Sequence, residues 1–336
     1  MLDSLDGECS YTEQMISPTF ETVQNGEVSL RVATAGSGPL IVCIHGWPEL
    51  WISWRHQMEY FSERGFTVAA MDVRGYGGSS KPTDIASYRL SELCADAAAV
   101  IEALGEGPAI VFGHDWGAPI AWNTARLFPS KVRAVAGMSV PYTPVGPSSS
   151  LELWSQVYAD RFFYQNYFQE PGVAEAEFGV DVAMSLRMIY FALSGEGSGT
   201  FLQPKAVDAT FLEGLVDPQP FPAWMSGEEL AAYVEAIIAG GWQGPLNRYR
   251  AQSVDSAELG SRPDPLLSQP ATFIAGELDP VRDFVPGIDI FAFAPTSCAD
   301  FRGATIVPGV GHWVQQEAPA AVNDALRTFV DSLPPA

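Results

Sequence analysis

Asp115 sits in the segment Gly113-His114-Asp115-Trp116-Gly117, and its type and setting equip it to act as a nucleophile. An apolar run over residues 109–112 leads into the segment, and an alanine-rich stretch with apolar residues at helical spacing (Ala118, Ile120, Ala121, Trp122, Ala125, Leu127) leads away. Strand, sharp turn and helix make the setting of a nucleophile elbow. The glycines let the helix crowd the strand, and the residue at the tip stands clear of both. A serine there needs a base and suits acyl carbons. A carboxylate is already ionised at neutral pH, so it can attack a saturated carbon directly and form an alkyl ester with the protein. The plain alternative for Asp115 is a helix N-cap.

Two further loop ends carry groups that would complete such chemistry. Asp279 closes Gly276-Glu277-Leu278-Asp279-Pro280 after the strand-like run 271–275, and His312 lies in Gly309-Val310-Gly311-His312-Trp313 after the run 304–307. There are four histidines: His45 and His114 belong to other motifs, His56 falls in a helix-like stretch, and His312 is the best base. Asp115 has no proton to lose, so the base is idle during the attack. It would instead deprotonate the water that attacks the ester carbonyl. Asp279 would hold the imidazole tautomer and offset its charge, as in a triad. Asp283 is a rival acid, and an Asp-Pro turn is the alternative reading of Asp279. The loop at Pro141 offers no acid. The loop His45-Gly46-Trp47-Pro48-Glu49 can aim the Trp47 N–H at the site, and with the Trp116 N–H it would form a two-donor oxyanion hole. An ordinary turn is the alternative there, and Trp47-Pro48 is open to a cis bond. The glycine-rich loop 72–80 lacks a P-loop lysine and a Gly-x-Gly-x-x-Gly, so it reads as a plain loop.

Three reagents at loop ends need a sheet that brings those ends together. Short alternating runs at 20–23 and 28–33 flank Asn25-Gly26, a hairpin signal. Residues 40–44, 66–71, 109–112 and 132–140 read as strands, and 51–63 and 91–104 between them as helices, so the sheet is mostly parallel with helices on both faces. From 151 to about 262 the pattern is helical and aromatic with no clear strand, an insertion over the carboxyl edge of the sheet. Strand rhythm then returns, and an amphipathic helix runs from about 319 to 333. The division expected is a core over 1–141, a helical cap over 142–266 and a second core segment over 267–336.

Composition bounds the function. The 336 residues are 47% hydrophobic, enough for one large core or a core and a smaller domain. Forty acidic against 18 basic residues give a net charge of -22, which repels phosphate backbones and excludes nucleic acid as a partner. Residues 1–18 read as an irregular arm and not as a secretory signal, and no apolar run is long enough to span a membrane. Cys9, Cys43, Cys94 and Cys298 show neither disulfide nor zinc spacing. The expectation is a soluble, cytoplasmic protein.

The chain order Asp115, Asp279, His312 is that of α/β-hydrolases. The four motifs around Trp47, Asp115, Asp279 and His312 together resemble the epoxide hydrolases of that superfamily. Two cap segments, Phe163-Tyr164-Gln165-Asn166-Tyr167-Phe168-Gln169-Glu170-Pro171-Gly172-Val173-Ala174-Glu175 and Gly244-Pro245-Leu246-Asn247-Arg248-Tyr249-Arg250, are similar to segments of the soluble enzymes. The resemblance covers about residues 20–333. It implies an α/β-hydrolase fold with a mostly parallel eight-stranded sheet, helices on both faces and an inserted helical cap. It implies conversion of epoxides to vicinal diols, with Tyr164 and Tyr249 donating to the epoxide oxygen; Tyr167 is a rival for the first. It also implicates Glu49, with His114, in positioning water, against the reading of Glu49 as a helix N-terminal acid. No cofactor and no metal are implied. The partners are a small apolar epoxide (lipid epoxides included) and water, and a homodimer stays open. The vertebrate soluble enzymes add an N-terminal phosphatase domain, for which no room is expected here.

A haloalkane dehalogenase shares the fold, the aspartate and a Trp after it, but typically carries Asn where Trp47 stands. Trp47 and the cap tyrosines argue against it. A non-catalytic ligand-binding homologue is the rival from another class, opposed by the intact Asp115, Asp279 and His312. An esterase is disfavoured because no serine occupies the elbow.

Overall fold

The computed structural model describes residues 17–262 and 266–335. Most of the expected N-terminal arm, with Cys9, and residues 263–265 near the cap boundary lie outside the described residues.

The chain runs through β1 (Thr19–Asn25), β2 (Val28–Gly36), β3 (Leu40–Ile44), α1 (Arg55–Ser62), β4 (Thr67–Met71), α2 (Leu90–Leu104), β5 (Ala109–His114), α3 (Gly117–Leu127) and β6 (Val132–Met138). Seven helices follow before the next strand: α4 (Ser150–Val157), α5 (Tyr164–Tyr167), α6 (Val173–Gly179), α7 (Val182–Leu193), α8 (Gly227–Gly240), α9 (Gln243–Arg250) and α10 (Gln252–Leu259). The chain then returns through β7 (Leu267–Gly276), β8 (Cys298–Val307), α11 (Val314–Glu317) and α12 (Pro319–Asp331). The eight strands form one sheet in the order β1-β2-β4-β3-β5-β6-β7-β8. β2 pairs antiparallel with β1 and β4, and every pairing from β4 to β8 is parallel. This is the α/β-hydrolase fold with a helical cap between β6 and β7.

The unbroken apolar strands follow from burial on both faces. In β3, Leu40, Val42 and Ile44 join the core that holds α2 and α3, while Ile41 and Cys43 join the core packed under α1 and α12. Val111 and Phe112 of β5 divide the same way. Asn25-Gly26 turns the β1–β2 hairpin, with Gly26 at φ 60. The loop 72–80 closes on the buried Asp72, which accepts from Arg31 Nε (2.7 Å), Trp51 N–H (3.1 Å) and Gly78 N–H (2.9 Å).

Two elements differ from expectation. The helix expected over 51–63 opens as a 3-10 turn, Trp51–Trp54, and becomes α-helical at Arg55. β8 begins at Cys298 rather than near 304. It is an edge strand, largely exposed and carrying Asp300 and Arg302, so its first half has no apolar run by which to read it.

The close approach of β5 and α3 depends on glycine. A Cβ on Gly113 would lie 2.2 Å from the Gly117 carbonyl oxygen, and one on Gly117 would lie 2.0 Å from the Ile44 carbonyl oxygen. Backbone occupies both spaces and cannot rotate away. Gly117→Ala is therefore expected to destabilise the protein by on the order of 3 kcal/mol, read as a lower urea midpoint at unchanged slope. A midpoint equal to wild type would show that the elbow tolerates a wider strand–helix spacing.

Candidate active site

β5, β7 and β8 end at the same edge of the sheet, β7 and β8 two residues beyond the level of β5. His114 pairs with Met138 of β6, Met138 pairs with Ile274 of β7, and Gly276 pairs with Val307 of β8. The loops beyond these ends therefore share one edge. They bring Asp115, Asp279 and His312 together.

Asp115 takes φ 50, a left-handed conformation that costs a non-glycine residue of order 1–3 kcal/mol. The turn points its carboxylate out of the elbow. Oδ1 accepts the Trp47 N–H at 2.8 Å, and Oδ2 lies 3.5 Å from His312 Nε2. Among the described residues, Trp47 alone gives that carboxylate a backbone hydrogen bond. The Trp47–Pro48 bond is cis. On the far side of the imidazole, His312 Nδ1 meets Asp279 Oδ1 at 3.0 Å and Oδ2 at 3.1 Å. Asp279 and His312 are buried, and the Asp115 carboxylate is 13% exposed. Asp283 is exposed and takes no part in this contact.

The charges settle one another. Burial pulls the His312 pKa down, but the Asp279 charge, with hydrogen bonds and the Asp115 charge, outweighs it and holds the imidazole well above its ordinary value. Burial pushes the Asp115 carboxyl up, and the hydrogen bond and charge of His312, with the Trp47 N–H, bring it below the ordinary carboxylate range.

The other histidines are engaged elsewhere. His45 Nδ1 faces the Gly46 carbonyl at 2.8 Å and its Nε2 accepts the Val73 N–H at 3.0 Å, so it braces its own loop. Burial pushes the His56 pKa down to about 4. His114 is fully buried between Glu49 Oε2 (2.7 Å from Nδ1) and the His312 carbonyl (2.8 Å from Nε2). Glu49 also accepts Gly46 N–H (2.9 Å) on Oε2, and Gln315 (2.9 Å) and Gln316 (3.1 Å) on Oε1. Both ring nitrogens of His114 and both oxygens of Glu49 are thus taken up by protein groups behind the His312 loop.

The cap supplies the roof. Tyr164 and Tyr249 are buried with ring centroids 5.8 Å apart, and Tyr249 also packs edge-on to Trp116 at 5.3 Å. Burial, then the Asp115 charge, push the Tyr164 phenol up; burial, then Tyr164 and Asp115, do the same to Tyr249. The Tyr164 hydroxyl accepts from Gln165 Nε2 at 2.9 Å. Tyr167 instead donates to Glu177 within the cap at 2.8 Å. The Trp47 indole enters the cap's aromatic cluster beside Phe168 (5.4 Å) and Tyr249 (5.9 Å). A cavity of about 310 Å³ reaches Tyr164 past Tyr158, Phe163, Phe201 and Phe211, with Arg161 and Lys205 among its lining. Among the described residues, no group of three His, Cys, Asp or Glu is arranged to hold a metal ion.

Reading the sequence by motif missed the groups that fix His312. Its N–H donates to the Leu193 carbonyl of the cap at 2.8 Å, and its carbonyl accepts from Ser139 Oγ at 2.9 Å. Ser139 has φ 65, and no local pattern marks it.

Residues 39–319 match a family described as alpha/beta hydrolase fold. The chain is 36% identical over 323 residues to "Epoxide hydrolase A" of Mycobacterium tuberculosis, covering 95% of this chain and 99% of that one. It is 33% identical over 317 residues to "Bifunctional epoxide hydrolase 2" of Rattus norvegicus, covering 93% of this chain and 55% of the rat protein. The solved structure of an epoxide hydrolase from an endophytic Streptomyces superposes with a TM-score of 0.88 at 37% identity, covering 94% of this chain and 95% of that one. No helix among the described residues is long and apolar enough to cross a membrane.

The raised His312 value carries a pH signature. A histidine whose folded pKa exceeds its unfolded value of about 6.5 stabilises the fold fully below that pH and loses the contribution as pH rises through the folded value. Asp279→Asn removes the largest upward influence. The variant is expected to titrate His312 at lower pH by imidazole NMR, with a flatter fall in stability above about pH 6.5. An unchanged midpoint would assign the shift to Asp115.

Proposed function

The chain belongs to the α/β-hydrolase fold family and, within it, to the epoxide hydrolases, and from that premise we propose that it converts epoxides to vicinal diols through a covalent ester on Asp115. The observation that carries this reading is the imidazole of His312, set between Asp115 Oδ2 at 3.5 Å and Asp279 at 3.0 Å.

In the first step Oδ2, which no backbone donor among the described residues holds, attacks a ring carbon. A new C–O bond forms, the ring C–O bond breaks, and the alkoxide takes a proton from Tyr164 or Tyr249. Oδ1, already bonded to the Trp47 N–H, becomes the ester carbonyl oxygen. In the second step His312, after passing the proton it held to the phenolate left by the first step, takes a proton from water, and the hydroxide adds to the ester carbon. The Trp47 and Trp116 N–H groups stabilise the oxyanion, and on collapse the departing alkoxide takes the proton of the added hydroxyl, releasing the diol and restoring ionised Asp115. Asp279 orients the imidazole and offsets its charge. The division into core (1–141), cap (142–266) and core (267–336) assigns the acids and base to the core and both tyrosines to the cap.

Electrostatics supports this order. While Asp115 is ionised it helps keep His312 protonated and both phenols unionised. Alkylation neutralises Asp115 and removes that influence from all three. The phenols become better donors as the alkoxide forms, and His312 can release its proton and serve as base only once there is an ester to hydrolyse. Glu49 and His114 have their polar atoms committed to protein groups, so any effect they have on the attacking water acts through the placement of His312. Two buried phenols above the carboxylate suit an oxygen that leaves as an alkoxide, which favours an epoxide over a haloalkane.

Two experiments test the reading. In His312→Gln, alkylation should proceed and hydrolysis stall, so intact mass after a slow epoxide should show one adduct, mapping to Asp115; unmodified enzyme throughout would rule out a covalent first step. Tyr164→Phe and Tyr249→Phe should each slow alkylation partially, since one donor remains. The double variant should lose roughly 10²–10⁴-fold in single-turnover alkylation, with hydrolysis of the preformed ester little changed. Alkylation at the wild-type rate in the double variant would remove the tyrosines from the mechanism and call for a haloalkane assay.

A further inference from the structure

A buried polar line runs from the cap to the back of the catalytic histidine. On α8, Glu229 forms an ion pair with Arg55, the first residue of α1. Arg55 Nη2 donates to the Trp224 carbonyl, also in the cap, at 3.1 Å, and Nη1 donates to Gln316 Oε1 at 2.8 Å. Gln316 Nε2 donates onward to Glu49 Oε1 at 3.1 Å. Glu49 Oε2 meets His114 Nδ1 at 2.7 Å, and His114 Nε2 meets the His312 carbonyl at 2.8 Å. Every side chain in this line is less than 10% exposed.

The chemistry of each link is specific. Gln316 accepts from a guanidinium and donates to a carboxylate, and an amide does both without carrying charge. The ring nitrogens of His114 face the Glu49 carboxylate on one side and the His312 carbonyl on the other. Arg55 lies between the carboxylates of Glu229 and Glu49, paired directly with the first and linked to the second through Gln316. A line serving only to seat the cap could end at Glu229 and Arg55. This one continues to the two groups used in ester hydrolysis: the base, through the His312 carbonyl, and the oxyanion loop, through the Gly46 N–H that Glu49 Oε2 accepts at 2.9 Å.

We propose that Arg55 and Gln316 are positioning residues for the hydrolysis step, linking the seating of cap helix α8 to the placement of His312 and the oxyanion loop. The inference rests on the two-step reading given above. Alkylation depends on Asp115 and the cap phenols and should be insensitive to this line. Hydrolysis depends on the base and should respond to it.

The test separates the two steps by stopped-flow tryptophan fluorescence, since Trp47 and Trp116 flank Asp115. Gln316→Met keeps the volume and cuts the line at its middle. The double change Arg55→Met with Glu229→Met removes the ion pair as a unit, leaving no lone buried charge. In each, alkylation is expected within about twofold of wild type and hydrolysis slower by roughly tenfold, the scale of one hydrogen bond to a charged group. The pH midpoint of the hydrolysis step should also move, because the imidazole shifts against Asp279. Combining the changes should add little, since they break one line. Hydrolysis at the wild-type rate in Gln316→Met would overturn the proposal. So would equal losses in both steps tracking a lower unfolding temperature, or fully additive losses; Gln316→Met decides the matter alone if the other variant does not fold. Absence of an Asp115 adduct in His312→Gln would instead mark failure of the two-step reading itself.

Discussion

Two carboxylates buried beside one imidazole are costly unless their charges are settled among the three groups. A lone ionised carboxyl in such a place would take up a proton or disrupt the fold. Here Asp279 and Asp115 approach opposite nitrogens of His312, and burial, which works against every charged form, is outweighed at both Asp115 and His312. The groups come from three different loops, so the balance depends on β5, β7 and β8 ending at one edge of the sheet. Sheet register, the glycine-bound elbow and the seating of the His312 loop all serve that single arrangement.

The cap sharpens it by covering the site with aromatic rings. Trp47 shows how closely the two parts are joined: its N–H holds Asp115, while its indole packs among Phe168, Phe178 and Tyr249. Charges under such an aromatic roof interact more strongly than they would in water. His312 is tied to the same roof, since its N–H bonds to the Leu193 carbonyl and the neighbouring Trp313 indole to the Tyr190 carbonyl at 2.8 Å. Cap and core thus meet around Asp115 and His312.

Much of this was legible in the chain because it is written in local pattern. Gly113 and Gly117 mark the elbow, and unbroken apolar runs mark strands covered on both faces. Asp279 and His312 stand at loop ends where such a sheet collects its site. Tyr164 and Tyr249 were legible only through resemblance, since nothing in helical spacing separates them from the cap's other aromatics. The braces were not legible at all. Arg55 reads as an ordinary cation at a helix start, Gln316 as a polar residue near a helix, and Ser139 as a residue after a strand. Their partners lie far off in sequence, and long-range side-chain pairing leaves no periodic trace. β8 escaped in part because an exposed edge strand lacks the alternation that burial imposes.

β6 and β7 are neighbours in the sheet, with Val135 beside Ala271 and Met138 beside Ile274. Because the two strands are parallel, the helical insertion leaves at the carboxyl end of β6 and rejoins at the amino end of β7, Leu267, seven residues and roughly 23 Å along the strand from Ile274. Closing a long excursion between these two fixed points costs little more than closing a somewhat shorter one, because the entropy rises only with the logarithm of length. The sheet is thus indifferent to the size of what it carries there. An exchanged or remodelled roof could change which molecules are admitted without shifting the strands beneath. Its limits would be set by the few core side chains, Trp47 and Arg55 foremost, that reach up to meet it. In this architecture the loops bearing Asp115, Asp279 and His312 belong to the sheet, and the roof over them can be exchanged as a cassette.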